Sequence, residues 1–338
     1  MIDSFDIKNV GPIESLTSGS LGKINLIIGT NGEGKTFLLK ILYASIKTIE
    51  EYKRGDEPRS ASDILVDKLY WTFEIDKIGS LVKKGADEAL QFEFKFNGQD
   101  FLYSFGKDTT KNIQQLENHI SPRKSNSIFL PPKEVLSLHK VILKSRERDK
   151  EFGFDNTYLD LVKALMQSTQ RGKNYDVFAK SRQSLDNLLD GKIEYDKKSE
   201  NWQFKKGNQK FPISLTSEGI KKISILDTLL GNRYLDTESV IFIDEPEAAL
   251  HPAAISKFLD IIAMLAESGI QFFLASHSYF VIKKLALIAQ EKENLSIPII
   301  STDNGNWKVA NLKDGLPDNS IIDESIRLYE EEVRLILR

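Results

Sequence analysis

Apolar residues near the start of the chain predict a strand, a glycine loop and a helix in succession. Residues 23–28 form a short apolar run that ends at Gly29. A helical periodicity then begins near Gly34, with apolar residues three or four positions apart. Before this unit, residues 2–13 have the pattern of two short strands joined by a Gly-Pro turn.

Two further segments of the first half alternate polar and apolar residues. Residues 69–75 show this alternation briefly, and residues 89–105 show it over a longer stretch. Such a period of two is typical of strands with one buried face. Asn97-Gly98 lies in the middle of the longer stretch and predicts a tight hairpin turn. We therefore expect an antiparallel sheet beside the glycine loop.

The pattern changes twice in the rest of the chain. Residues 136–189 are helical and highly charged, and residues 192–211 predict a hairpin that turns at residues 206–208. The last third returns to an α/β rhythm. Its expected elements are strand 239–243, helix 252–267, strand 270–275, a helix after residue 277, two short strands from residue 297 and a helix from residue 318 to the end.

Composition narrows the class of protein. The 338 residues are 41% hydrophobic and 28% charged, which is ordinary for a globular chain. The net charge of -3 provides no overall attraction to nucleic acid or anionic membranes, although residues 133–206 alone are about +4. The chain has no cysteine, which excludes disulfides, Cys-ligated zinc and iron–sulfur clusters. No long apolar stretch predicts a membrane span, so we expect a cytoplasmic protein.

Residues 29–36 match the pattern G-x-x-x-x-G-K-[ST]. Glycines allow backbone N–H groups to wrap a phosphate, and the following helix presents its N-terminus to the anion. Lys35 would reach the β- and γ-phosphates, and the Thr36 hydroxyl would ligate Mg²⁺. The predicted strand before the loop and helix after it are the context this chemistry requires. The expected nucleotide-binding residues here are Asn31, Gly32, Glu33, Gly34, Lys35 and Thr36.

A second acidic motif follows the predicted strand 239–243. Asp244 at the strand tip suits a Mg²⁺ site, and Glu245 is placed to polarise an attacking water. Two adjacent acids after a strand are also common in solvated turns. The glycine loop upstream favours the catalytic interpretation.

The order of these motifs resembles an ABC-type ATPase head of the RecF, SMC and OLD branch. The resemblance is carried by residues 29–36, by Ser217-Glu218-Gly219, by residues 244–252 (DEPEAALHP) and by residues 275–278 (ASHS). It covers about residues 1–60 and 207–290. Residues 129–134 also resemble the F-x-P-E-D stretch of RecF-like heads.

This resemblance implies an α/β fold, a P-loop NTPase head of ABC type with an antiparallel β subdomain and a helical lobe insertion. We expect the head to comprise residues 1–135 and 207–338. Residues 136–206 would then form a helical lobe or stub with a hairpin. This insertion is too short for the long coiled-coil arms of SMC proteins.

The resemblance also implies roles for individual residues. Ser217 and Gly219 stand at the signature L-S-G-G-Q, from which this chain departs at three of five positions, and would contact ATP bound to a second subunit. His277 matches the switch histidine that senses the γ-phosphate. Glu134 would link Mg²⁺ to the helical lobe. The expected catalytic residues are Lys35, Glu245 and His277, and the expected metal-binding residues are Thr36, Asp244 and Glu134.

Plainer interpretations of two of these residues stay open. Ser217-Glu218-Gly219 is also a common way to cap a helix and make a turn. A histidine that follows a strand, such as His277, often has only a structural role.

The function implied is an ATP-hydrolysing molecular switch with ATP and Mg²⁺ as cofactors. Its expected partners are a second copy, in a head-to-head dimer or a higher homo-oligomer, and a separate effector such as a nuclease or toxin. After residue 277 the chain has no D-x-D pair of the kind that marks a TOPRIM nuclease domain. The chain therefore resembles the small ATPases that work beside a separate nuclease or toxin in prokaryotic anti-phage and DNA-maintenance systems.

DNA is a further candidate partner, whereas a membrane is not. Basic residues in the charged middle segment would follow a phosphate backbone, although charge-rich helices are often merely solvated. They are Arg146, Arg148, Lys150, Arg171 and Lys173.

Two alternative functions stay open. The energy subunit of a membrane transporter would carry a near-complete L-S-G-G-Q and S-A-L-D, where this chain has T-S-E-G-I and A-A-L-H. A non-hydrolysing module that uses ATP only for stability would not need the Asp244-Glu245 pair.

Overall fold

A mostly parallel sheet lies at the centre of the protein. The computed structural model describes residues 1–55, 59–168 and 176–337. In spatial order the strands are β14 (Asn306–Asn311), β13 (Pro298–Asp303), β3 (Ile24–Ile28), β12 (Gln271–Ser276), β11 (Val240–Asp244) and β7 (Ser127–Leu130). β14 is antiparallel to β13, and all other neighbours in this order pair in parallel. β3, β11 and β12 are buried along their whole length, as expected for strands covered on both faces.

Alternate residues of the central strands point into two separate cores. In β3, Ile27 belongs to one core, whereas Leu26 and Ile28 belong to the other. The first core lies against helix α1 (Lys35–Glu51). The second lies against helices on the opposite face, namely α6 (Glu218–Gly231), α7 (Pro252–Glu267) and α8 (Tyr279–Glu291). The result is an α/β sandwich in which both sheet faces are covered.

An antiparallel sheet completes the first core. In spatial order its strands are β2 (Ile13–Thr17), β1 (Ile2–Val10), β4 (Leu90–Phe96), β5 (Gln99–Phe105) and β6 (Gln115–Asn118). The hairpin predicted at Asn97-Gly98 is confirmed: it joins β4 to β5, and both turn residues have positive φ, 48° and 75°. Positive φ at both central residues is the requirement of a type I′ turn.

The strand predicted over residues 69–75 is wrong, because residues 69–73 form the end of helix α2 (Ala61–Phe73) and Glu74 is its C-cap. Seven residues are too few to separate a period of two from one of 3.6. The decisive signals lie upstream. Ser60 caps the helix by accepting a hydrogen bond from the Asp63 N–H, and Ile64 and Leu65 are buried one turn before Leu69.

The charged middle segment packs against the β7 edge of the central sheet. Its helices are α3 (His139–Leu143), a π-helical turn at Lys144–Asp149, α4 (Asn156–Met166) and α5 (Ala179–Leu189). A small sheet follows, made of β8 (Lys192–Asp196), β9 (Asn201–Lys206) and β10 (Gln209–Pro212). The turn predicted at residues 206–208 joins β9 to β10 as expected. A second turn, at residues 197–200, adds a strand to the single hairpin predicted.

The tail follows its prediction. Asn304 and Gly305 have positive φ and form the turn between β13 and β14. Helix α9 (Ser320–Ile336) begins after Asn319, whose side chain accepts a hydrogen bond from the Ile321 N–H. Within the described ranges, no helix has both the length and the apolar character needed to cross a membrane.

Arg146 is buried, which overturns its expected role as a surface cation. Only 6% of its surface is exposed, and its guanidinium lies 4.0 Å from the centre of the Trp71 ring. The same group donates hydrogen bonds to the Phe154 carbonyl and to the Asn156 side chain, 3.0 Å away. Arg148 is exposed and pairs with its neighbour Asp149. Two other expected cations, Arg171 and Lys173, lie outside the described residues.

We expect Arg146→Met to lower the free energy of unfolding by about 2–3 kcal/mol, because it leaves one buried and one partly buried acceptor without this donor and removes a cation–π contact. Denaturant unfolding measures the change. Arg148→Met is the matched control and should cost less than about 0.5 kcal/mol, since its ion pair is exposed. Equal effects of the two substitutions would contradict this assignment.

Candidate active site

The glycine loop lies between β3 and α1, as predicted. Gly34 caps α1 with φ 97°, and a Cβ there would lie 2.6 Å from Pro12 Cγ. The Lys35 ammonium folds back over the loop and donates to the carbonyls of Gly29 and Thr30, each 2.8 Å away. The Thr30 N–H donates to the Glu33 carboxylate at 2.8 Å. The loop thus already holds an anionic group at one of its amides, while Asn31 and Gly32 at its tip are exposed.

Thr36 and Asp244 meet at the carboxyl edge of the central sheet. Thr36 Oγ1 donates to Asp244 Oδ2 at 2.7 Å. Burial raises the pKa of Asp244, and the hydrogen bond from Thr36 opposes that shift. Burial also lowers the pKa of Lys35 against the attraction of Asp244. Hydroxyl and carboxylate oxygens are the ligands that Mg²⁺ prefers, and Mg²⁺ commonly takes only one or two protein groups beside substrate phosphates.

Glu245 and His277 are brought together by neighbouring strands. The Glu245 N–H donates a hydrogen bond to the Ala275 carbonyl at 2.9 Å. This bond links the residue after β11 to strand β12. Its carboxylate Oε1 lies 3.5 Å from His277 Nδ1. Both side chains are partly open to solvent, so a water molecule has access to them. The predicted base and the predicted switch residue therefore face each other.

Glu247 is a neighbour that residue-by-residue reasoning left without a role. Its Oε1 accepts a hydrogen bond from Ser276 at 2.8 Å and lies 3.9 Å from His277 Nδ1. Its Oε2 is buried and has no hydrogen-bond partner in the described chain. The DEPE motif was the available signal, because it places a third carboxylate beside the first two.

Glu134 contacts Ser137 and Lys221, whereas Thr36 and Asp244 contact each other. Its Oε1 accepts from the Ser137 N–H at 2.7 Å, and its Oε2 lies 4.0 Å from the Lys221 ammonium. A cavity of about 30 Å³ separates its loop from α6 and from Ala248 and Ala249. That volume holds about one water molecule. Its predicted role as a metal ligand stays a prediction.

Ser217 and Gly219 form the start of α6. Ser217 is its N-cap and accepts a hydrogen bond from the Ile220 N–H at 3.4 Å. Gly219 packs on the loop after β11, where an added Cβ would lie 2.8 Å from the Ala249 carbonyl oxygen and 2.8 Å from Leu250 Cδ2. The signature segment of this chain thus touches the loop that carries Glu245.

Two lysines on α6 were missed by the sequence reasoning. Lys221 donates to Glu218 at 2.9 Å and to Ser137 at 3.2 Å. Lys222 points the other way and donates to the carbonyl of Glu245. Nothing in the sequence marks either one, because a Lys-Lys pair on a helix normally indicates a solvated face.

Comparison with known proteins identifies the family of this chain. The family model described as "AAA domain, putative AbiEii toxin, Type IV TA system" matches residues 24–283. The chain belongs to this family. Proteins of AAA and ABC ATPase type generally bind ATP with Mg²⁺, and the Thr36–Asp244 pair of this AAA domain fits that chemistry. A comparison with curated proteins finds no match.

Solved structures show the same fold. An SMC head bound to the C-winged helix domain of ScpA aligns with a TM-score of 0.55 at 14% identity, over 92% of this chain and 97% of the other. A Pyrococcus furiosus Smc head with an extended coiled coil, bound to the C-terminal domain of ScpA, aligns with a TM-score of 0.51 at 12% identity over 98% of each chain. The predicted fold class, a P-loop NTPase head of ABC type, is confirmed.

We expect Gly219→Ala in this AAA domain to lower the rate of ATP hydrolysis by about tenfold or more, equivalent to roughly 1.4 kcal/mol. The added methyl group pushes the first turn of α6 away from the Glu245 loop. Binding of a fluorescent ATP analogue should change little, because the glycine loop lies elsewhere.

Gly231→Ala at the other end of α6 is the matched control. Its added Cβ would meet only the flexible end of the Arg182 side chain, so activity should be retained. Full activity of Gly219→Ala would show that the close contact with Ala249 is not needed.

Proposed function

We propose that the protein is an ATP-hydrolysing molecular switch whose heads dimerise around bound nucleotide. The observation that carries the proposal is the meeting of two pairs at one sheet edge. Thr36 Oγ1 and Asp244 Oδ2 lie 2.7 Å apart beside the glycine loop. Glu245 Oε1 lies 3.5 Å from Nδ1 of His277, which follows the next strand. These are the groups needed to hold Mg·ATP, to activate a water and to sense the γ-phosphate.

Each of these residues has a definite task in hydrolysis. Mg²⁺, when bound, neutralises charge on the phosphates and would be held by Thr36 and Asp244. Lys35 holds the β- and γ-phosphates within the loop. Glu245 accepts the proton of the attacking water as a general base. His277 orients the Glu245 carboxylate and donates towards the γ-phosphate.

The signature segment supports completion of the site by a second copy. Ser217 lies at the exposed N-terminus of α6, and Leu215, two residues earlier, has 76% of its surface exposed. A helix N-terminus attracts anions through its free N–H groups and its dipole. We infer that Ser217 contacts the γ-phosphate bound to the other subunit, so that ATP closes two heads and hydrolysis opens them.

The output of this switch would be delivered to a separate effector, such as a nuclease or toxin, in anti-phage defence or DNA maintenance. The family description names a toxin and a type IV toxin–antitoxin system. The two Smc heads of similar fold each hold a domain of another protein, ScpA. Both findings support a partner protein for this chain. The transporter and non-hydrolysing alternatives have no comparable support.

We expect Glu245→Gln to bind Mg·ATP but to hydrolyse it about 10²–10⁴ times more slowly, because glutamine cannot accept the proton. The persistent nucleotide should then hold two heads together. Light scattering with and without Mg·ATP measures the gain in molar mass.

Lys35→Ala is the paired variant and should stay unassociated at any ATP concentration, since it loses phosphate binding. The dimer proposal fails if Glu245→Gln gains no mass with ATP while the wild type is monomeric without it. If the wild type is already oligomeric, ATP-dependent compaction measured by X-ray scattering replaces molar mass as the readout.

The small sheet offers a surface for DNA in place of Arg146. Lys192 and Lys210 both lie directly opposite Lys205 in the strand register, so three lysines form one row across β8, β9 and β10. Glu194 is the carboxylate nearest this row, 3.2 Å from Lys192 and 3.5 Å from Lys210. One carboxylate balances only one of these three positive charges, and a phosphate backbone would balance the others. We propose that duplex DNA binds here, one short turn away from Ser217.

The triple substitution of Lys192, Lys205 and Lys210 to Gln should weaken binding of a duplex oligonucleotide in fluorescence anisotropy. The slope of log K against log salt should become shallower by about 2–3, because three phosphate contacts are lost. The matched control replaces Lys8, Lys95 and Lys107, three exposed lysines of the antiparallel sheet region, with Gln. Equal slopes for the two triple variants would show that the lysine row is a solvated surface and does not bind DNA.

A further inference from the structure

Lys222 is a buried cation with an unusual target. Its ammonium is largely withdrawn from solvent and donates a hydrogen bond to the backbone carbonyl of Glu245. Lys222 lies on α6, five residues after the Ser217 cap, whereas Glu245 follows β11. The contact therefore joins the helix of the signature segment to the loop of the general base.

Burial of this amine is costly, which argues against a purely space-filling role. Desolvation lowers the pKa of Lys222 to about 8, although Glu247, Asp244 and Glu245 all act to raise it. A carbonyl that needs only one donor is satisfied by water or a neutral group at lower cost. A cation at this position has a second effect, because it offsets the negative charge of these three carboxylates.

The backbone of Glu245 is a segment that needs to be held. Its φ is 49°, in the left-handed region that non-glycine residues rarely adopt. Such a conformation costs on the order of 1 kcal/mol and persists only where the surroundings impose it. Here the N–H is fixed by the Ala275 carbonyl and the C=O by Lys222, so the peptide groups on both sides of Glu245 are anchored.

We propose that Lys222 is a positioning residue for hydrolysis, which fixes the Glu245 backbone and makes Ser217 and Glu245 move as one unit. The inference rests on the proposed function, because it assumes that Glu245 is the base and that Ser217 serves a second head. Its physical basis is a rigid link: α6 runs from Ser217 to Lys222 in about one and a half turns, and Gly219 touches the same loop at Ala249. Displacement of the signature helix thus displaces the base.

A double-mutant cycle with Glu245→Gln tests this link. Lys222→Met in the otherwise wild-type protein should lower kcat by about 10- to 100-fold and leave KM for ATP within about threefold. In the Glu245→Gln background the same substitution should change the residual rate by less than about threefold. The effects are non-additive because a positioning residue has nothing left to position once the base is gone.

Two further variants separate charge from hydrogen bonding and from fold. Lys222→Arg keeps a cation and should recover part of the lost kcat. Lys222→Gln keeps a neutral donor, and its kcat replaces that of Lys222→Met as the readout if the methionine variant does not fold. The matched control is Asp227→Asn. It removes the partly buried ion pair of α6 with Arg182, in which Arg182 Nε and Asp227 Oδ1 lie 3.0 Å apart. It should lower thermal stability and leave kcat unchanged.

The outcomes are distinct. Absence of hydrolysis by the wild type overturns the proposed function and this inference with it. Activity that depends on Glu245 but not on Lys222 overturns this inference alone. Additive losses in the cycle, or an equal kcat loss in Asp227→Asn, would show that Lys222 only stabilises the fold. A non-additive loss with partial recovery by arginine supports the positioning role.

Discussion

The site depends on one constraint, which is the position of β12 between β3 and β11. Parallel pairing on both sides brings the carboxyl ends of these three strands to one edge of the sheet. The segment after each strand then supplies part of the site: the glycine loop after β3, Asp244-Glu245 at the end of β11 and His277 after β12. Residues more than 200 positions apart meet within hydrogen-bond distance, as Thr36 and Asp244 do. Ligand sites at the carboxyl ends of strands are general in open α/β sheets.

Charge balance is the second requirement at this edge. Asp244, Glu245 and Glu247 lie in four consecutive positions, and burial makes their mutual repulsion more costly. Lys35 and Lys222 are two of the cations that act on these acids, and desolvation lowers the pKa of each lysine. Lys35 bonds to the loop carbonyls of Gly29 and Thr30, so it would have to leave them to reach a phosphate. Lys222 stays bonded to the Glu245 carbonyl and balances the acids from the side of α6.

Much of the fold and half of the site were accessible from the sequence. Glycine loops, strand-end acids and an Asn-Gly hairpin are local signals, because the residues that define them are adjacent in the chain. Lys222 was not accessible, since its role depends on a contact with a carbonyl 23 positions away. Arg146 was assigned to the surface for a related reason. The pattern of charges along the chain does not show that the Trp71 ring, on a different helix, packs against the Arg146 guanidinium. The strand prediction for residues 69–75 was wrong because a short alternation of polar and apolar residues fits both a helix and a strand.

The departures of the signature segment from L-S-G-G-Q become understandable once its contacts are considered together. Ser217 accepts a hydrogen bond as the cap of α6, yet its hydroxyl hydrogen and a second lone pair stay available, so capping and phosphate binding are compatible. Glu218 would repel a phosphate at a helix N-terminus, but its carboxylate is held by Lys221 at 2.9 Å, which neutralises it. Gly219 is kept small by the carbonyl of Ala249. The segment thus retains two properties that an anion requires, an available hydroxyl and no net negative charge on the Glu218–Lys221 pair, although its residues differ from the motif.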